Sequence, residues 1–486
     1  MPLKFVFGPS GSGKSTYLYQ HVIEESEKYP LKNFIVLVPE QFTMQTQKDL
    51  VSMHPRHGIM NIDVLSFARL AYRVFEETGT KQMQVLDDEG KNLILRKIAG
   101  DYENKLTVLK GNIKKLGYIS EVKSVISEFT QYDIGEEEMD EMLDHLDEDS
   151  RLYYKLKDIR LLYEGFQDYL RERYITKEEL LDVLNSQVKE SELLKNSVVV
   201  LDGFTGFTPV QNRLILELMR CCKEVWVTVT MDERENPYAY KHPYQLFGLS
   251  KQMVTTLVRM AGEDHIEVEE PVCLYGYPVK RFEKNQELAF LERNIFRYGS
   301  GRYDKAVENL EIHAAGNPRQ EADAVAEGIR RLVRKDQYRY RDIGVIVSDM
   351  NVYGDYLEQA FENYGIPVFM DHKRSILLNS FVEYIRSLLN MAEKNFSYES
   401  VFRFLRTNLA GFACEEVDEL ENYVLGLGIR GYKGWQNRWI RRLKGMEEEE
   451  LDRLNHYRVQ LVEKVDNLMF VLKQKRSGFA HCRYFF

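Results

Sequence analysis

Apolar positions along the first eighty residues switch between two periods. Phe5-Val6-Phe7 is a short continuous apolar run, then comes a glycine-rich loop, and Thr16 to Tyr29 carries a helical pattern. A second run, Phe34 to Val38, ends at Pro39, which cannot donate to a central ladder. A third, Ile62 to Leu65, leads through Ser66 into a helical pattern from Phe67 to Glu77. Strands that alternate with helices predict an α/β fold whose parallel sheet is covered on both faces. From Gln82 to about Lys195 the pattern is helical, with an acidic stretch from Glu136 to Asp149 that reads as a solvated helix face. Sheet-like runs resume at Ser197 to Leu201 and Val225 to Thr230, so a helical domain of about 110 residues is inserted into the α/β domain. A further α/β unit follows, with strands expected at Leu310–His313, Ile343–Val347 and Pro367–Phe369 and helices at Arg319–Arg334 and Tyr353–Tyr364. After Ser380 the pattern is helical.

Composition narrows the class. The 486 residues set a prior of about three domains, at roughly 150 residues each. With 44% hydrophobic and 29% charged residues the chain is neither disordered nor membrane-embedded, and a cytoplasmic location is expected. Cys221, Cys222, Cys273, Cys414 and Cys482 form no CxxC pair, which argues against a disulfide scaffold or a cysteine-only zinc site. The net charge of −10 excludes a wholly basic nucleic-acid wrapper but allows a local basic groove.

The strongest chemical signal is Gly8-Pro9-Ser10-Gly11-Ser12-Gly13-Lys14-Ser15, a complete G-x-x-x-x-G-K-[ST]. Its glycines let backbone N–H groups turn around phosphate oxygens, and the following helix adds its positive end. Gly8, Ser10, Gly11, Ser12 and Gly13 form the cradle, Lys14 reaches the outer phosphates, and Ser15 joins the Mg²⁺ shell. ATP with Mg²⁺ is the expected ligand. An apolar strand ending in aspartate should supply the second metal group, and Val198-Val199-Val200-Leu201-Asp202 has that form. Asp202 lies 202 − 14 = 188 positions after Lys14. Small nucleotide kinases and GTPases space these elements more closely, whereas a superfamily 1 helicase motor carries a helical insertion between them.

At this point the chain resembles the AddB (RexB) subunits of bacterial ATP-dependent helicase/nuclease complexes. The residues that carry the resemblance are the loop itself, Val38-Pro39-Glu40-Gln41-Phe42-Thr43, Leu65-Ser66-Phe67-Ala68-Arg69-Leu70-Ala71-Tyr72-Arg73-Val74 and Leu201-Asp202-Gly203-Phe204-Thr205. Four motifs agree in order. The resemblance implies two RecA-like P-loop domains of superfamily 1 type with all-helical insertions. It divides the chain into a first RecA-like domain (1–80 and 196–300), an insertion at 81–195, a second RecA-like domain from 301–390, and the start of a second insertion at 391–486. It further implies an AddA-like partner, contact with single- and double-stranded DNA, no membrane, and scanning of a single strand for the Chi signal. By position, Gln41, Thr43, Phe67, Arg69 and Tyr72 would line the strand channel, with Tyr72 where relatives can carry Trp. An aromatic ring can stack a base and Arg can hold phosphate, although Phe67 fits a core-facing helix position equally well.

The same residues argue against a working motor. Gly203 follows Asp202 where a motor has its catalytic Glu, and Val227 to Glu233 holds no Gly-Asp-x-x-Gln phosphate sensor. Ser348-Asp349-Met350 stands where the second domain should offer an arginine, and no glutamine motif precedes Phe5. ATP binding with little hydrolysis is therefore expected, with an autonomous superfamily 1 helicase as the alternative. Ile429 to Arg442 interleaves basic and aromatic residues, which suits either a nucleic-acid surface or a helix packing its tryptophans while arginines reach solvent. The family's nuclease Mg²⁺ site and 4Fe–4S cluster cannot be placed in this chain. The tail Arg476 to Phe486 breaks the helical pattern with an apolar, aromatic end and reads as that of a fragment or a frameshifted gene product, and the adjacent His481 and Cys482 are only a weak metal signal.

Overall fold

The structure, a computed structural model, describes residues 2–79, 84–113, 115–171, 174–297, 299, 301–371 and 376–473; the tail 476–486 lies outside the described residues. The chain divides into two compact units, Met1–Glu311 and Ile312–Phe486.

Unit 1 opens with β1 (Leu3–Gly8), α1 (Lys14–Lys28), β2 (Asn33–Leu37), α2 (Thr43–Met53), β3 (Ile62–Leu65) and α3 (Phe67–Thr78). After the insertion it continues with β6 (Ser197–Leu201), α10 (Pro209–Cys221), β7 (Glu224–Thr230), α11 (Gly248–Glu263), β8 (Val272–Cys273) and α12 (Gln286–Asn294). The strands form one parallel sheet in the order β3-β2-β6-β7-β1-β8. Its apolar runs are continuous because both faces are covered. Phe5, Phe7, Ile35, Leu37, Val199 and Val227 pack on one face with α3, α10 and α11, while Val6, Phe34, Val36, Val198 and Trp226 meet α1 and α2 on the other. β7 lies between the strand of the glycine-rich loop and the strand ending at Asp202, and all their C-terminal ends share one edge.

The insertion comprises β4 (Gln84–Val85), α4 (Asp88–Asp101), α5 (Leu116–Gln131), α6 (Glu136–Asp144), α7 (Arg151–Leu170) and β5 (Tyr174–Ile175). It has its own core, built on Ile94, Leu95, Ile98, Leu162 and Phe166. The insertion is not all-helical as expected, because β4 and β5 pair in parallel at its root, where the entering and leaving chains run side by side. α8 (Glu179–Gln187) and α9 (Glu192–Lys195) follow, and their Leu180, Leu184 and Leu194 join the sheet's core beside Leu70 and Val74. Two buried charges tie the segment together. Lys91 on α4 bonds Glu178 at 2.7 Å just before α8. The carboxylate of Asp158 on α7 accepts from the backbone N–H groups of Thr107, Val108 and Leu109 at 2.8–3.1 Å, satisfying a turn that has no ladder.

In unit 2, α13 (Pro318–Lys335) and α14 (Met350–Asn363) pack through Ala322, Ala326, Ile329, Leu357 and Phe361. The strands expected at Leu310–His313, Ile343–Val347 and Pro367–Phe369 do not form among the described residues. A β-segment needs a ladder partner, and the sheets formed among the described residues include none of the three. Ile343 and Val347 rest on the helix pair, whereas Ile312 and Ile346 are 100% and 98% exposed. The remainder is helical: α15 (Ser380–Glu393), α16 (Tyr398–Leu405), α17 (Cys414–Leu427), α18 (Gly431–Gln436) and α19 (Glu448–Lys473). Here the basic–aromatic stretch takes the packing alternative. Trp435 and Trp439 are buried among Phe396, Phe404, Tyr423 and Leu461, while Arg438 reaches Asp452 at 2.9 Å on the surface.

Asp158→Ala orphans three backbone donors at once, so it should destabilise the insertion by about 2–4 kcal/mol in urea unfolding. An unchanged unfolding midpoint would contradict the role given to this carboxylate.

Candidate nucleotide site

The loop between β1 and α1 turns inward because its glycines adopt what other residues resist. Gly11 and Gly13 have φ of 84° and 92°, in the left-handed region. A side chain at Gly8 would strike Ser12 Oγ and meet the Leu274 carbonyl at 2.9 Å. Lys14 folds back over the loop and donates to the carbonyl oxygens of Gly8 at 2.9 Å and Pro9 at 3.0 Å. Burial lowers its pKa to about 8; Asp202 opposes this and Arg281 adds to it. Ser12 Oγ is buried without a partner, the sort of orphan that an oxygen-rich ligand would satisfy.

Parallel pairing of β1 with β7, and of β7 with β6, carries Asp202 to the same edge. Ser15 Oγ donates to Asp202 Oδ1 at 3.2 Å, closing a sequence gap of 187 residues. Two residues that the sequence did not single out complete this group. Thr228 Oγ1 on β7 donates to Oδ1 at 2.6 Å, and the Tyr19 hydroxyl on α1 donates to Oδ2 at 2.7 Å. Tyr19 also lies 3.4 Å from Thr46 Oγ1 on α2. Loop, lysine, serine and aspartate thus fit a nucleotide's phosphates with Mg²⁺. Lys14 would hold phosphate oxygens, with Ser15 and Asp202 at the metal.

A short helical turn at Lys280–Phe282 lies on the loop. Arg281 donates its backbone N–H to the Gly11 carbonyl at 3.0 Å, and any side chain at Gly11 would strike Arg281 Cβ at 2.8 Å. No local pattern announced Arg281, because only the sheet brings residue 281 to residue 11. Beside Pro9, Arg293 covers the Tyr277 ring at 4.4 Å. Past β7, Asp232 is held down to about pKa 2, chiefly by hydrogen bonds from Arg234, and Arg297 lies 3.4 Å away. This ion network occupies the segment that directly follows β7. Gly203 follows Asp202 with φ of 79°, and its N–H reaches Thr228 Oγ1 at 3.3 Å.

The expected strand-contacting residues lie just after β2 and β3, Gln41 on a short helical turn, Thr43 at the start of α2, and Phe67, Arg69 and Tyr72 on the first two turns of α3, but they differ in accessibility. Gln41, Arg69 and Tyr72 are exposed. Thr43 is buried and its hydroxyl donates to the Glu40 carbonyl at 3.0 Å. Phe67 is buried against Phe204 and Phe207, with ring centroids 5.4 and 6.4 Å away. Its core-facing alternative therefore describes its position, and the accessible aromatic side chains here are Phe42 and Tyr72. A larger open cavity of about 900 Å³ lies in unit 2, lined in part by Arg386, Arg403 and Arg406. Those arginines are paired with Glu383, Asp418 and Glu421, which leaves little net attraction for phosphate.

The family model described as the N-terminal part of ADDB matches residues 5–292, more than half of the 486. Three similar proteins are each named as the B subunit of an ATP-dependent helicase/deoxyribonuclease. One from Lachnoclostridium phytofermentans is 42% identical over 489 residues, covering 99% of this chain and 42% of that protein. Those from Caldanaerobacter subterraneus subsp. tengcongensis and Clostridium acetobutylicum are 35% and 31% identical, covering 41% and 43% of their own lengths. The chain thus spans about two fifths of the curated relatives it matches. No helix among the described residues is long and apolar enough to cross a membrane. With this match laid over a complete phosphate loop and its partner aspartate, the chain belongs to the AddB family.

Proposed function

We propose that this chain is the nucleotide- and single-strand-binding, helicase-like part of the AddB component of an AddAB-type helicase/nuclease. It would act with an AddA-like partner in double-strand break repair and recombination, scanning the strand for Chi. The observation that carries the reading is the meeting of Lys14, Ser15 and Asp202 at one sheet edge beside the exposed Gln41, Arg69 and Tyr72. Ligands of open parallel sheets bind at the carboxyl ends of the strands, so nucleotide and strand would share an edge. The strand order, with β7 between the loop strand and the Asp202 strand, supports a RecA-like reading of unit 1. For unit 2 that reading rests on the resemblance.

In this reading the chain holds ATP and does little chemistry on it. Magnesium would neutralise phosphate charge when bound. Lys14 would exchange its Gly8 and Pro9 carbonyl partners for phosphate oxygens, and Arg281 would add positive charge over the loop. Gly203 cannot orient an attacking water. Loss of a base typically costs about 10²–10⁴ in rate, and a missing arginine about 10³–10⁵.

Steady-state ATPase assays on the chain, with and without single-stranded DNA, should stay far below about 1 s⁻¹. DNA-stimulated turnover above that value would instead favour an autonomous motor. ATP affinity should be level below pH 7 and weaken above about pH 8, where Lys14 loses its proton, by up to roughly tenfold per pH unit. Titration calorimetry across that range on the wild type and on Lys14→Arg tests this, since the arginine variant should show no such fall. On the strand side, Arg69→Ala should reduce the salt slope of single-strand binding by about 0.7, the share of one phosphate contact. An unchanged slope would remove Arg69 from the interface.

A further inference from the structure

Three hydroxyls converge on Asp202, and two of them lie outside the phosphate-loop motif. Tyr19 comes from the second turn of α1 and meets Oδ2, whereas Thr228 comes from the middle of β7 and meets Oδ1. Tyr19, Thr228 and Asp202 are all buried. An aspartate carboxylate alone turns broadly about its last torsion, which is a poor start for Mg²⁺, because that ion demands near-ideal octahedral geometry. A donor on each oxygen removes the freedom by fixing the plane of the group.

Both donors are themselves constrained. Thr228 Oγ1 accepts the Gly203 N–H at 3.3 Å, so its own proton is directed to Asp202. The Tyr19 hydroxyl donates to Oδ2 at 2.7 Å, and Thr46 Oγ1 on α2 lies on its other side at 3.4 Å. A carboxylate offers roughly four lone-pair sites. Tyr19 and Thr228 take one on each oxygen; the site now shared with Ser15 is released once that hydroxyl turns toward a metal, and a second stays open on Oδ2.

We propose that Tyr19 and Thr228 are positioning residues that orient Asp202 toward the Mg²⁺ of a bound nucleotide. The inference rests on the nucleotide reading above and assigns these hydroxyls to the metal-dependent part of binding. Outer-shell groups of this kind typically alter metal affinity by about 10–100-fold.

The test is calorimetric titration of ATP into the full chain, once with saturating Mg²⁺ and once in EDTA, for the wild type, Tyr19→Phe, Thr228→Val and Lys14→Ala. Tyr19→Phe and Thr228→Val should each weaken Mg-ATP binding about tenfold and leave metal-free ATP binding within about twofold. Equal losses in both conditions would mark the hydroxyls as merely structural, and no loss would also overturn the inference. If Tyr19→Phe fails to fold, Thr228→Val still decides, since it removes the donor to the opposite oxygen. Should the wild type bind ATP no better than Lys14→Ala, the nucleotide reading falls and this inference with it. A wild type that depends on Lys14, beside variants indifferent to Mg²⁺, overturns the inference alone.

Discussion

The Asp202 carboxylate accepts hydrogen bonds from the hydroxyls of Ser15 and Tyr19 on α1 and of Thr228 on β7, and this convergence ties the loop helix to two strands of the sheet. A buried carboxylate without partners costs several kcal/mol, so the group needs donors around it. Here it gathers donors from two elements that the sheet has already placed. β7 lies between β1 and β6, so its Thr228 is within reach of both the loop strand and the Asp202 strand. The strand order is thus a precondition for the chemistry.

The same logic explains how a long helical insertion sits in the middle of this domain without disturbing the sheet. It enters after α3 and leaves before α8, and the two passages are clamped by the β4–β5 ladder and the buried Lys91–Glu178 pair. Its hydrophobic core is separate from that of the sheet. A buried pair of this sort adds little net stability against an apolar substitute, but losing one partner leaves a charge stranded, which makes the junction intolerant of single changes. The sheet edge that bears the loop and Asp202 is therefore built independently of the insertion's interior.

In the proposed reading, contact with a DNA strand depends on which side chains the sheet edge leaves accessible. Gln41, Arg69 and Tyr72 follow strands β2 and β3 and remain exposed, while Thr43 is spent on the Glu40 carbonyl and Phe67 on a cluster with Phe204 and Phe207. A buried ring can still shape the edge by holding Phe204, which is half-buried, in place. Arg281 is the converse case: a residue without any local motif lies against Gly11 because the chain returns to the sheet at β8.

The two-residue strands β4, β5 and β8 carried no legible pattern, but local chemistry was enough to pick out the glycine-rich loop motif, five of the six strands of the large sheet, most helices and the candidate aspartate. Each rests on short-range constraints: glycine dihedrals, continuous apolar runs, and side-chain periods of two or 3.6. What depended on distant partners was decided by tertiary structure alone. Tyr19 and Thr228 are ordinary helix and strand residues until folding brings Asp202 to them. Ile343 to Val347 has the pattern of a buried strand, yet it stays unpaired because a ladder takes two chains and the described residues offer it none. Trp435 and Trp439 could have faced nucleic acid or a core, and the neighbouring helices closed over them because burying large aromatic surface outweighs leaving it in water.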